Sequence, residues 1–453
     1  MDTSQRAADE GPDGPPPTLA TAAYLRYRLQ RRLAAMRRIP GRVAHNERVL
    51  YTDVIFQAIS DSGALAFLSV FLVRLDTPAW LVGLFSSLPA LVTMVSVLPA
   101  GSFVRRQRSL VKVVTVTRLL FRSVVGAFAL LPLLPVHIAP YVMVVAYSLA
   151  AIPSSALNVA LTTLLGQAAS PDRRPGLLST RMAIHGMMAT LVGLAAGQWL
   201  DRVPYPLNYQ LLFLSALVAG VGSMLVLSHF RESTTSATAL PPRARIGLGQ
   251  MWALITGVPA FRKFAVATLI FRLTMSMPMA LYSIYRVRML GASDAWIGAL
   301  LTVERLLSVF AYFGLARLLT KPKYRRWLWV TCMGMALYPL TTSLARTPEM
   351  LLIPSMLAGF FSAGMNIFMT ETLLQVSPEG DRPTFIAANS FLVNVTAFVG
   401  PMLGTALAGV TSVPIALAIA GGLRLVSSLG FWRLGVGSEK EPASPVTEEA
   451  PAP

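Results

Sequence analysis

From Val49 to Trp432 the chain runs through twelve apolar stretches parted by short polar turns, at about 49–73, 79–103, 110–134, 138–163, 181–200, 208–229, 263–285, 294–318, 327–344, 350–373, 384–408 and 412–432. Each comes close to the ~20 residues that carry a helix across a ~30 Å hydrocarbon layer. None alternates with the period of two expected of a barrel strand, and backbone groups in lipid must bond within their own segment. The pattern predicts an all-α integral membrane protein with twelve transmembrane helices.

The polar positions divide the chain. Residues 1–47 form a Pro/Gly/Asp-containing tail ending in a basic segment with Arg26, Arg28, Arg31, Arg32, Arg37, Arg38 and Arg42, and they lack the apolar core of a cleavable signal peptide. Residues 24–38 are read as a basic helix on an anionic lipid surface or as a solvated arm. The longest connection, 231–261, separates six spans (48–230) from six more (262–434), and 435–453 form a polar tail. With the N-terminus inside, the inner loops carry 17 Lys/Arg and the outer loops five, Arg74, Arg202, Arg286, Arg288 and Arg346. The positive-inside rule then puts both termini in the cytoplasm, at a bacterial inner membrane.

Composition narrows the function classes. The chain is 54% hydrophobic and 13% charged, with a mean hydropathy of +0.58; a soluble chain carries about 25% charged residues. An ordinary soluble enzyme is excluded. The net charge of +18 sits in turns rather than along one face, which argues against nucleic-acid binding. The single cysteine, Cys332, forms no internal disulfide, and no Cys/His spacing marks a metal site. Without a phosphate-binding Gly-x-x-x-x-Gly-Lys-Ser/Thr loop or a nucleophile constellation, neither ATP hydrolysis nor catalysis is expected, and no cofactor is called for.

Features recur 207 to 215 positions apart. Ser170-Pro171-Asp172-Arg173-Arg174-Pro175 reappears as Ser377-Pro378-Glu379-Gly380-Asp381-Arg382-Pro383, and Ala79-Trp80-Leu81-Val82-Gly83 as Ala295-Trp296-Ile297-Gly298. The basic turn Gly101–Arg108 is answered by Gly314–Arg326. A common offset at matching topological positions points to two related halves.

On these grounds residues 48–434 resemble the major facilitator superfamily. The stretch Gly101-Ser102-Phe103-Val104-Arg105-Arg106-Gln107-Arg108 is similar to the family's loop signature, in which an acid follows the glycine by four residues; here Arg105 occupies that position. Gly400-Pro401-Met402-Leu403-Gly404 is similar to a Gly-Pro helix motif of some family antiporters, although that motif belongs to span five. The resemblance implies two pseudo-symmetric six-helix bundles around a central cavity, opened alternately to each side. It makes Gly101, Arg105, Arg106, Arg108, Asp172, Arg173, Asp381 and Arg382 candidates for the cytoplasmic gate. The pairs Gly193/Gly197 and Gly400/Gly404 offer close helix approach.

Ionisable groups inside spans need water, a partner or a function. Asp61, Arg122, Arg272 and Glu304 fall near mid-depth, whereas Asp53 and Glu371 read as lying near the inner interface. Arg118 and Arg122 share one helix face. The sharper reading pairs Asp61 with Arg122 or Arg118, and Glu304 with Arg272, as substrate- and proton-binding groups; the alternative is static ion pairs that fasten helices. Arg305 and Arg424 are read as snorkelling or pairing locally. Gln57, Asn158, Asn366, Asn389 and Asn394 are further candidates, for substrate or for interhelical bonds, and His185 reads as a solvated interfacial group. Pro89, Pro99, Pro153, Pro278, Pro339 and Pro354 mark kinks.

The expectation is a secondary transporter, acting as a monomer among membrane lipids and moving a small polar or anionic solute. An uncoupled facilitator, or a transport-inactive scaffold or receptor of the same fold, is the alternative.

Overall fold

A computed structural model describes residues 41–169, 173–232, 256–316, 324–378 and 382–436. The expected basic helix at 24–38, an amphipathic helix expected at 248–255, and Asp172 and Asp381 lie outside them.

Every regular element among the described residues is helical. They are α1 (Gly41–Arg74), α2 (Ala79–Arg105), α3 (Leu110–Leu133), α4 (Ala139–Ala168), α5 (Arg174–Arg202), α6 (Leu207–Ser228), α7 (Pro259–Met289), α8 (Asp294–Ala316), α9 (Tyr324–Leu344), α10 (Glu349–Val376), α11 (Arg382–Val410) and α12 (Val413–Arg433). Eleven of these are long and apolar enough to cross a membrane. The exception is α9, whose apolar run is diluted by Trp327, Trp329, Pro339, Thr341, Thr342 and Ser343.

Local chemistry sets several starts. Ser109 caps α3 by accepting from the Lys112 N–H at 3.1 Å, and Ser412 caps α12. Pro140, Pro259 and Pro414 occupy first turns, where a missing N–H costs nothing. In α10, Pro354 lies just after the change from the 3-10 turn Glu349–Leu351 to the α-helix Leu352–Val376. Helix α7 is interrupted at Met277-Pro278.

The helices pack in a repeating pattern. In residues 41–232, α1 lies against α5 and α6, α2 against α4, and α3 against α4 and α6; each pairing recurs six helices later. The two sets meet through α2 with α11 and α5 with α8. The α5–α8 crossing is backbone on backbone: a Cβ on Gly197 would lie 2.6 Å from the Asp294 carbonyl oxygen, and one on Gly298 would lie 2.7 Å from that of Gly193. Gly400 and Gly404 serve a different neighbour, the α7 break at Ser276 and Met277.

Candidate functional site

Helix α1 carries Asp53, Gln57 and Asp61 four residues apart, hence on one face; α3 adds Arg118 and Arg122, and α5 adds Arg181 and His185. Packing brings the three faces together. Arg122 Nη2 donates to Asp61 Oδ1 at 2.8 Å, and His185 Nε2 lies 3.4 Å from Asp61 Oδ2. Arg118 pairs with Asp53, not Asp61, and both share the Ser223 hydroxyl of α6, which donates to Asp53 Oδ1 at 2.6 Å. Arg181 Nη2 donates to Gln57 Oε1 at 2.6 Å and stands 3.8 Å from Asp53 Oδ2.

The reach of these side chains depends on close helix approach. A Cβ on Gly220 of α6 would sit 2.9 Å from the Cβ of Arg122, and one on Gly222 would run into the Phe56 ring. Helix α1 also widens into a π-helical turn over Ser60–Leu65, around Asp61. Such turns rotate the helix face and recur at functional sites.

Burial separates the two pairs. The Asp53 and Arg118 side chains are 0% and 3% exposed, whereas Asp61 is 30% exposed against 6% for Arg122. Three guanidiniums face two carboxylates here, leaving one positive charge in excess. Arg118 Nη2, Arg122 Nη1 and Arg181 Nε are buried without hydrogen-bond partners.

Two sequence readings are corrected here and a third residue is placed. Asp53 is fully buried among the helices, in a helix that begins at Gly41 rather than Val49. Arg181 belongs to the buried body of α5, not to an inner loop. His185 is in contact with Asp61 rather than merely solvated. The signal for all three was the four-residue spacing in α1 and α5, hidden by helix starts placed several residues late.

In the second half the expected Arg272–Glu304 pair does not form. The cations acting on Glu304 are Arg286 and Arg305, and Arg272 Nε is buried without a hydrogen-bond partner beside Cys332. Arg286 donates to the Tyr338 hydroxyl at 2.6 Å, and Tyr338 stacks on Tyr282 with centroids 4.4 Å apart. Arg424 does not snorkel; it is buried, 1% exposed, with its Nη donors on backbone carbonyls and its Nε without a hydrogen-bond partner. Arg305 is exposed. Asn158 and Asn366 are exposed, Asn394 donates to its own helix at Ser390, and Asn389 is half-buried.

Contacts between the halves gather at the end that the charge distribution makes the outer one. Asp294 accepts from Arg74 at 2.8 Å and from the Tyr209 hydroxyl at 2.9 Å, and its N–H donates to Asp201 at 2.9 Å. Arg288 donates to the carbonyls of Val73 and Thr77, and Ser283 to Ser69. A hollow of about 960 Å³ lies over this network, lined in part by Arg74, Asp201, Tyr205 and Arg288. At the opposite end Arg173 pairs with Glu47 at 3.2 Å within the first half. Arg105 turns back to Ser102, and Arg105, Arg106 and Arg108 are exposed, with no ion pair among the described residues. A Cβ on Gly101 would lie 4.0 Å from Arg105 Nη1, and Arg382 begins α11.

The sequence model of the Major Facilitator Superfamily matches residues 264–453. A nucleoside transporter, NupG, solved as a mutant, superposes with a TM-score of 0.65 at 13% identity, covering 86% of this chain and 99% of that one. The peptide transporter POT with bound sulfate gives 0.65 at 15% identity, covering 86% and 94%. A D-xylose-proton symporter gives 0.64 at 14%, covering 86% and 97%. The chain has the fold of the major facilitator superfamily. No curated protein matches it by sequence. Eleven helices among the described residues are long and apolar enough to cross a membrane, and the solved structures that share this fold are described as transporters.

Proposed function

We propose that this protein is a secondary active transporter, moving a small solute across a bacterial cytoplasmic membrane by alternating access and coupling it to protons through Asp61. One observation carries the reading. Of the two carboxylates in the α1 ladder, Asp61 alone keeps part of its surface exposed, while its counter-ion is buried. A carboxylate that takes a proton must meet water, and protonation cancels its attraction for Arg122. Asp53 and Arg118, sealed on all sides, are suited to fastening α1, α3 and α6.

Alternating access draws support from the six-helix recurrence of packing pairs and from the gathering of inter-half contacts at one end. In this reading residues 48–230 and 262–434 are two bundles, both termini are cytoplasmic, and the state described is closed outside and open inside. The excess guanidinium in the ladder, together with Arg272, favours a polar or anionic solute. The similarity to a protein described as a D-xylose-proton symporter accords with proton coupling.

The test is uptake by purified protein in vesicles, with and without an inward acid gradient, over a panel of carboxylates, phosphates, sugars, nucleosides and peptides. Accumulation that requires the gradient and is lost in Asp61→Asn supports the reading. Equal uptake with and without it makes the protein a facilitator, and no uptake by folded protein favours a scaffold.

A further inference from the structure

Two prolines of the second half, in α7 and α9, each deprive one carbonyl of its donor. In α7, Pro278 has no N–H to offer Thr274, four residues earlier; in α9, Pro339 has none for Met335. Inside a membrane an orphaned carbonyl must find another partner. Both find the same one. Arg424 of α12 donates Nη1 to the Met335 carbonyl at 2.9 Å and Nη2 to the Thr274 carbonyl at 3.0 Å, with Met275 at 3.3 Å. Among the described residues it has no carboxylate partner, so its charge rests on these carbonyl dipoles.

We propose that Arg424 is a positioning residue, a pin that sets the angle between the two segments of α7 and ties it to the bend in α9. The α7 break is gripped from two sides: Arg424 holds its freed carbonyls, and Gly400 and Gly404 of α11 lie against Ser276 and Met277, where a Cβ on Gly404 would run into the Met277 carbonyl. The outer segment, Met279–Met289, carries the Ser283–Ser69 contact and the Arg288 bonds to Val73 and Thr77 that close the outer end. The inner segment carries Arg272. The pin therefore controls how the outer closing contacts are aimed. A planar guanidinium holds two donors at a fixed separation, so it bridges two helices; a lysine ammonium has no such fork.

The gate consequence rests on the transport reading, while the pin does not, so stability and shape are measured apart from uptake. Full-length protein is purified as Arg424→Met, as Arg424→Lys, and as Arg424→Met with Pro278→Ala and Pro339→Ala, which restore the missing N–H groups. Melting temperature is recorded, along with the distance distribution between spin labels at Val136 and Leu344 on the outer rim. Arg424→Met and Arg424→Lys are expected to lower the melting temperature and broaden the distribution. The triple variant is expected to regain at least half of the lost melting temperature and the narrow distribution. If Arg424→Met does not fold, the triple variant must. A triple variant no better than Arg424→Met, or an Arg424→Lys protein equal to the parent, overturns the proposal.

Discussion

Asp61 is the exposed member of its ion pair: 2.8 Å from Arg122, its carboxylate is 30% open while the guanidinium is 6% open. The asymmetry gives the pair a direction, since the side that meets water is the side that can lose its charge. Neutralising Asp61 as Asn should abolish gradient-driven accumulation in vesicles yet leave solute exchange partly intact. If accumulation survives both Asp61→Asn and Glu304→Gln, the coupling assignment is wrong.

The neighbouring pair should respond differently. Asp53→Asn leaves the Arg118 charge buried with neutral acceptors only, and removing one partner of a buried pair typically costs about 3–5 kcal/mol. The double variant Asp53→Leu/Arg118→Leu removes both charges and should be the more stable of the two. Thermal unfolding of purified protein reads this; an Asp53→Asn protein as stable as the parent would show that the pair does not fasten the helices.

At the outer end, Asp294 gathers Arg74, Tyr209 and the Asp201 cap into one contact between the halves. Replacing it by Asn weakens the pull on Arg74 while keeping side-chain size. The expected outcome is a larger outward-open population, seen as faster labelling of cysteines introduced at outer-facing positions beneath the network. Unchanged labelling in both Asp294→Asn and Arg74→Ala would mean that other contacts hold the closure.

The α5–α8 crossing leaves no room for a side chain. Gly298→Leu places carbon atoms where the Gly193 and Gly197 backbones lie, and overpacking of this kind costs about 1–3 kcal/mol or more. Transport should fall sharply, with lower yield of folded protein. Leu at Gly166, which has open space around it, is the matched control and should behave as the parent.

How much was legible in advance differs between the fold and the site. The hydrophobic pattern located each long helix among the described residues, eleven of them apolar enough to cross a membrane, and the recurring offset anticipated packing pairs that repeat six helices apart. The pairing of Asp61 with an α3 arginine was within reach, because only groups near the same depth can meet. The pairings of Arg118 with Asp53 and Arg181 with Gln57 were hidden because α1 and α5 begin several residues before their apolar runs do. Hydropathy does not register the polar first turns that extend a helix beyond the lipid. The Arg272–Glu304 pairing failed for another reason: equal depth is necessary for contact, and rotation about the helix axis decides whether it happens.

The amino-acid sequence alone therefore determined the all-helical, membrane-spanning character, which depends on summed hydrophobicity along a stretch, and the family likeness, which depends on recurring local motifs. Only the tertiary structure decided which buried charges meet, because that turns on rotations and on backbone approaches set by single glycines. It likewise revealed that Arg424 answers the carbonyls freed by Pro278 and Pro339, a relation among three helices that no local pattern contains.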